Sequence, residues 1–168
     1  MPRRIGKHIG TGAGGSREAW RDALRDALAC WATGVAIVGV RDGDRVHALT
    51  VTAFLPLSFA PPLVAVSLGA NAAVLPFVEP GVELAVSILS ADQRGLAARY
   101  SDSFPVGPSP FAADGPPVVE GAIAALVCRV EELLERGDHH LVIAGVEEPR
   151  AGGGPALVYV RREYHRVE

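Results

Sequence analysis

The chain has 168 residues, 49% of them hydrophobic and 21% charged, with a formal net charge of −3, which leads us to expect one globular domain around one main core. Its 16 Lys and Arg are scattered and outnumbered by 19 Asp and Glu, which argues against a groove that neutralises nucleic-acid phosphates. The most apolar stretch, residues 61–78, is interrupted by Ser67, Gly69 and Asn71 and cannot supply the ~20 unbroken apolar residues of a membrane helix.

Residues 1–15 read as a flexible tail and 16–168 as the folded domain. The tail holds GTGAGG at 10–15, a match to GxGxxG in letters only, because no strand precedes the glycines to build the phosphate-cradling turn. Arg3, Arg4 and Lys7 lead into glycine rather than an apolar run, so no secretory signal is expected and the cytoplasm is the expected location. From Ser16, available as an N-cap, Ala19, Trp20, Ala23, Leu24, Ala27, Leu28 and Trp31 recur at helical spacing. They predict an amphipathic helix of about four turns that Thr33-Gly34 ends. Residues 35–40 predict a β-branched strand, Arg41-Asp42-Gly43-Asp44 a hairpin turn, and the partner strand begins at Val46.

After the Pro61-Pro62 stop come a strand over 63–68 and another over 82–89. Ser90 then caps a second helix with Leu96, Ala97 and Tyr100 on one side. Residues 101–120 are rich in Pro, Gly, Ser and Asp, and a loop of that length is expected to cover a site or a partner. Leu126, Cys128 and Val130 alternate with Val127, Arg129 and Glu131 as a half-exposed strand, while EELLERG at 131–137 reads either as its continuation or as a helical end. Strands over 141–146 and 156–160 complete the chain. Many short strands without regular βαβ alternation predict a mainly β domain with a few helices, an antiparallel barrel rather than a Rossmann sheet. Cys30 and Cys128 form no CxxC pair and are expected to be buried, reduced thiols.

Chemistry concentrates in two stretches. In HALTVTAFLPLSFAPPL, residues 47–63, Thr50, Thr52 and Ser58 interrupt an apolar segment; threonines suit strands, and they equally suit a wall that offers hydroxyls to a planar heterocycle beside Phe54 and Leu55. In RGDHHLVIAG, residues 136–145, two histidines stand where a turn becomes an apolar strand. Successive strand side chains point to opposite faces, so at most one of them can face a given pocket. No HExxH or converging ligand set suggests a metal, and no GxSxG elbow suggests a hydrolase nucleophile. The Arg136-Gly137-Asp138 tripeptide would be an adhesion signal only on a secreted protein.

The succession WATGVAIVGV (31–40), ALTVTAFLPLSFAPPLVAVSL (48–68), LAVSILSADQRGLAARYS (84–101), GDHHLVIAGVEE (137–148) and PALVYVRREYH (155–165) resembles the flavin reductase-like, FMN-binding split β-barrel family. That family includes reductase components of two-component flavin monooxygenases. The resemblance implies a split antiparallel β-barrel, homodimeric, holding FMN or FAD at the dimer interface with NADH or NADPH as co-substrate. It implies hydride transfer from nicotinamide to flavin and a flavin-dependent monooxygenase as the recipient of reduced flavin. Thr50, Val51, Thr52, Ala53 and Phe54 would lie along the flavin ring and ribityl chain; Ser67, Leu68, Gly69, Ala70, Asn71 and Ala72 would approach the phosphate.

His139, directly after Gly137-Asp138, would stand at the nicotinamide or flavin edge as the catalytic residue, with His140 on the other face beside Asp138. Gln93, Tyr100 and Tyr164 would be further cofactor contacts, and Tyr159 could edge the nicotinamide pocket or be an ordinary strand tyrosine. The phosphate segment here reads SLGANAAV, without the basic residue and hydroxyls frequent in that family, which would leave backbone amides, Asn71, Arg94 or Arg99 to hold a phosphate. Two other readings stay open: a flavin binder without catalysis, and a binder of another planar ligand on the same fold.

Overall fold

A computed structural model describes residues 16–102 and 105–168; the 1–15 tail and its glycine motif lie outside the described residues. Ser16 opens helix α1 (Arg17–Leu28) by accepting the Ala19 N–H at 3.1 Å. The helix has 12 residues, about three turns rather than four. Trp31 lies beyond its end, in a turn where its N–H donates to the Leu28 carbonyl at 3.0 Å. No residue of α1 is buried, so its apolar stripe of Trp20, Leu24 and Leu28 faces outward.

The strands are β1 (Thr33–Gly34), β2 (Ala36–Asp42), β3 (Arg45–Val51), β4 (Phe54–Phe59), β5 (Pro62–Gly69), β6 (Glu83–Ile88), β7 (Ala124–Arg136), β8 (His139–Ala151), β9 (Ala156–Val160) and β10 (Glu163–Val167). Helix α2 (Arg94–Arg99) follows β6 through a 3-10 turn. Seven strands form one antiparallel sheet in the order β3-β2-β6-β7-β8-β5-β4, and β1-β9-β10 form a second. The tight turns sit where glycine permits a left-handed backbone: Gly43 at φ 56° between β2 and β3, and Gly137 at φ 65° between β7 and β8. EELLERG is thus the end of a 13-residue strand, not of a helix.

The large sheet curls around a core of Ala36, Val38, Val64, Val66, Leu68, Leu84, Val86, Cys128, Val130, Val142 and their neighbours. Its outermost strands, β3 and β4, are consecutive in sequence yet share no ladder, so the barrel is split along the Thr52-Ala53 link. A second core lies on the outer face, where Val35, Ile37, Leu89, Ala97, Tyr100, Phe111, Val119 and Leu157 meet. Strands β2 and β6 are buried on both faces because they stand between the two cores, which explains their unbroken apolar runs. Each fully buried Val, Leu or Ile contributes about 1.5–3 kcal/mol relative to exposure.

Residues 105–120 pack on this outer core through Phe111 and Val119, and among the described residues none of them lines the cavity at the Thr52-Ala53 link described below. Arg41 donates to the Gly115 and Ala112 carbonyls at 2.8 and 2.7 Å, and Ser87 Oγ accepts the Val119 N–H at 3.0 Å. Cys128 is buried, but Cys30, in the turn after α1, is exposed. Among the described residues, no helix is long and apolar enough to cross a membrane, and no group of three or more His, Cys, Asp or Glu could hold a metal ion.

Candidate active site

A cavity of about 590 Å³ lies at the Thr52-Ala53 link, where the barrel is split. The β3–β4 link and the start of β4 supply Thr52, Ala53, Phe54 and Leu55; β5 supplies Ala65 and Ser67. Leu141 of β8 and Tyr159 of β9 complete one side, and the end of α1 with the chain just after it supplies Leu28, Ala29, Trp31 and Thr33. A smaller cavity of about 250 Å³ adjoins it and shares Trp31, Thr33, Thr52 and Phe54. The size suits a planar cofactor ring. Apolar Leu28, Phe54, Leu55 and Leu141 suit the hydrocarbon side of such a ring, and the Thr33, Thr52 and Ser67 side chains suit its polar edge, so the wall fits a flavin. Among the described residues, no Asp, Glu, His, Lys or Arg lines the larger cavity.

The register of β5 and β8 divides the histidines. Ser67 pairs with Leu141 and Gly69 with His139, so His139 shares the cavity-facing side with Leu141, about 7 Å along the strand. Leu68 pairs with His140, on the side that carries Val66 and Val142 into the core. His139 Nδ1 lies 2.7 Å from Asp138 Oδ1, and this hydrogen bond, followed by one within Asp138's own backbone and by the imidazole's charge, holds the Asp138 carboxyl below its ordinary range. The carboxylate expected beside His140 therefore belongs to His139. The Nδ1 of His140 is buried and has no hydrogen-bond partner among the described residues.

The phosphate segment folds against the same turn. Ala70 N–H donates to the Asp138 carbonyl at 3.0 Å and Ala72 N–H to the Gly69 carbonyl at 2.9 Å, so two of the amides offered to a phosphate are already engaged. Asn71 is exposed. Val51 and Leu68 are core residues whose side chains point into the barrel, leaving only their backbones to face a ligand.

Four other candidates hold the outer layer in place. Thr50 Oγ1 donates to the Ala97 carbonyl at 2.8 Å and its N–H to the Tyr100 carbonyl at 2.9 Å, tying β3 to α2. Gln93 Oε1 accepts the Ser90 N–H at 3.0 Å while its Nε2 donates to the Glu120 carbonyl at 2.8 Å. Tyr100 is buried edge-on against Phe111, and that burial raises its hydroxyl pKa. The Tyr164 ring lies tilted at 56° against Tyr159, 5.0 Å between centroids, and Tyr159 does line the cavity; burial, then Tyr159, raises the Tyr164 pKa.

Arg94 lies over the Tyr164 ring at 5.9 Å, and Arg99 donates to the Pro108 carbonyl at 3.0 Å; neither lines the seam cavity. Sequence reasoning did not single out Leu28, Ala29, Trp31, Thr33, Ala65 or Leu141, because nothing local distinguishes them from core or helix-face residues. Only Trp31, an aromatic set at the helix-breaking Thr33-Gly34, carried a signal.

An antiparallel barrel split at a seam, with the cavity along the split, defines this chain as a split-barrel domain. Residues 28–168 match the family model described as flavin reductase like domain. The chain is 38% identical, over 88% of its length and 97% of the relative's, to the reductase component of a 4-hydroxyphenylacetate 3-monooxygenase from Thermus thermophilus. It superimposes on flavin reductase PheA2 with a TM-score of 0.80 at 31% identity, covering 88% of this chain and 97% of that one. It also superimposes on the NADH:FAD oxidoreductase SgcE6 of Streptomyces globisporus C-1027, solved with NAD and FAD fragments, with a TM-score of 0.78 at 26% identity over 93% and 98% of the chains. The chain belongs to the flavin reductase-like family.

Proposed function

We propose that this protein is an NAD(P)H-dependent flavin reductase that supplies reduced FMN or FAD to a separate monooxygenase. The observation that carries the reading is the seam cavity, apolar with hydroxyl-bearing side chains, without Asp, Glu, His, Lys or Arg among the described residues of its wall, and with His139 on the adjoining sheet face. A hydride passing from nicotinamide to flavin is chemistry that the two rings supply when bound, which leaves the protein to hold and orient them.

Thr52, Ala53, Phe54 and Ser67 hold the flavin ring, with the backbones of Val51 and Leu68 behind them. The turn at Gly69, Ala70, Asn71 and Ala72 receives the phosphate through the Asn71 side chain and the remaining backbone. His139, oriented by Asp138, contacts the nicotinamide side. Thr50, Gln93, Tyr100 and Tyr164 support these elements from the outer layer.

The working unit is a homodimer. Trp20, Leu24 and Leu28 on α1 are 42%, 41% and 63% exposed, and Leu57 and Phe59 on the edge strand β4 are 43% and 97% exposed. Leu28 and the start of β4 line the cavity, so a second copy seated on these two apolar surfaces would close it. A location in the cytoplasm is consistent with a reduced nicotinamide as its substrate.

Purified protein mixed with excess FMN, FAD or riboflavin and either NADH or NADPH is expected to consume the reduced nicotinamide. No turnover with any pair would overturn the reductase reading. A second reading, a flavin binder without catalysis, draws on the absence of a basic side chain from residues 67–73. A yellow protein that leaves both nicotinamides unoxidised would establish it, and a protein that binds no flavin would point to another planar ligand.

A further inference from the structure

Trp31 is 76% exposed, well beyond the 42% of the other tryptophan, Trp20. An indole in that position leaves a large apolar area in water unless something covers it. It is not a loose surface residue. Just before it, the Ala29 carbonyl accepts the Arg161 N–H at 2.6 Å, and Asp26 pairs with Arg162 at 2.7 Å. Arg161 and Arg162 form the β9–β10 turn with φ of 53° and 64°, a left-handed backbone that is costly for any residue with a Cβ. Just after it, Thr33 is paired with Tyr159 in the β1–β9 ladder. The backbone is thus fixed on both sides of a side chain that packs on nothing in the core.

Its position relative to the cavities narrows what covers it. Trp31 belongs to the walls of both the 590 Å³ and the 250 Å³ cavities, so a planar molecule seated in either meets the indole. The neighbouring Thr33 hydroxyl oxygen is buried and without a hydrogen-bond partner among the described residues, an unmet polar group at the same partition. An apolar partner surface would cover the indole and leave that polar edge unserved; a heteroaromatic ring offers both a face and polar atoms.

We infer that Trp31 is a stacking platform for the isoalloxazine ring of the flavin. The inference rests on the flavin-reductase reading and gives a role to Trp31, which opens the motif WATGVAIVGV but is not among the expected cofactor contacts. Aromatic faces stack on planar bases in a chemistry-tolerant way, so Trp31→Ala is expected to weaken FMN binding by about tenfold or more, and Trp31→Phe by much less. An indole in contact with excited flavin quenches its emission by electron transfer. Bound FMN is therefore expected to be nearly dark on the native protein and to regain emission on Trp31→Phe while still bound.

The experiment measures FMN and NAD⁺ dissociation constants separately, together with bound-flavin emission and sedimentation, for the native chain, Trp31→Ala and Trp31→Phe. An unchanged FMN constant in Trp31→Ala overturns the inference. So does a loss confined to NAD⁺, which would move the indole to the nicotinamide, and so does a loss that tracks dissociation of a dimer, which would make Trp31 an interface residue. Failure of the native chain to bind flavin would instead overturn the functional reading, so the two failures are distinguishable.

Discussion

Ser87 tests whether the long 101–120 segment is a structural cover or a lid. Its side chain is fully buried on β6, the only buried polar residue among those described, and its Oγ accepts the Val119 N–H at 3.0 Å. Val119 is itself 2% exposed, so no water replaces the oxygen in Ser87→Ala. Leaving that N–H unmet costs about 1–3 kcal/mol, and the small void from one missing oxygen adds little. Taking the middle of that range, about 2 kcal/mol, a domain of this size should melt roughly 4–8 °C lower. Urea unfolding followed by circular dichroism reads the stability, and FMN titration of the same variant reads the site. Because the segment packs on the outer core and the cavity lies at the seam, FMN affinity is expected to stay at the native value. Unchanged stability would refute the account of the bond. Native stability with weakened FMN binding would show that the segment acts on the site.

His139→Ala is expected to raise the KM for nicotinamide or slow hydride transfer by about tenfold or more, the scale of one hydrogen bond to a charged partner, while His140→Ala lowers the melting temperature instead. Equal kinetic effects would contradict the two-face register. Thr50→Val removes the donation to the Ala97 carbonyl and should cost about 1–2 kcal/mol with FMN affinity retained; full stability with lost affinity would make Thr50 a ligand contact. Burial, reinforced by Glu147, pushes the Cys128 thiol up to about 12, so at mild alkaline pH a thiol reagent should label Cys30 alone in the native protein and both thiols after unfolding. Rapid labelling of both in the native state would contradict the buried placement.

Asp138 is held below its ordinary 3.8 chiefly by the His139 hydrogen bond. Its contribution is therefore present above 3.8 and is lost as pH falls through the lower folded-state value. Stability curves of native protein and Asp138→Asn should converge in acid, and a gap that persists there would remove the bond from the account.

Local sequence carried the parts of the fold that local physics controls. Ser16 does cap the first helix, Gly43 and Gly137 do occupy turns that need a left-handed backbone, and the double-sided apolar runs of β2 and β6 were legible as strands. The ambiguity at EELLERG arose because Leu133 and Leu134 are adjacent, and the bulge between Val130 and Glu132 breaks the alternation by which a strand is recognised. Strand β4 escaped notice because Pro56 sits within it beside a register shift, tolerable only on a sheet edge that no local pattern reveals. Strand β10, Glu163–Val167, carries too many charged residues to stand out as apolar.

The motif order by itself determined the family, the split-barrel fold and the separation of the two histidines onto opposite faces, because side-chain alternation follows from backbone geometry alone. Only the tertiary structure decided which face of β8 borders the cavity, that Asp138 turns to His139, that Thr50 and Gln93 tie the outer layer together, and that Trp31 stands in the cavity wall. Each of those depends on the register of strands and turns far apart in the chain, and register is fixed by the packing of the whole barrel rather than by any short run of residues.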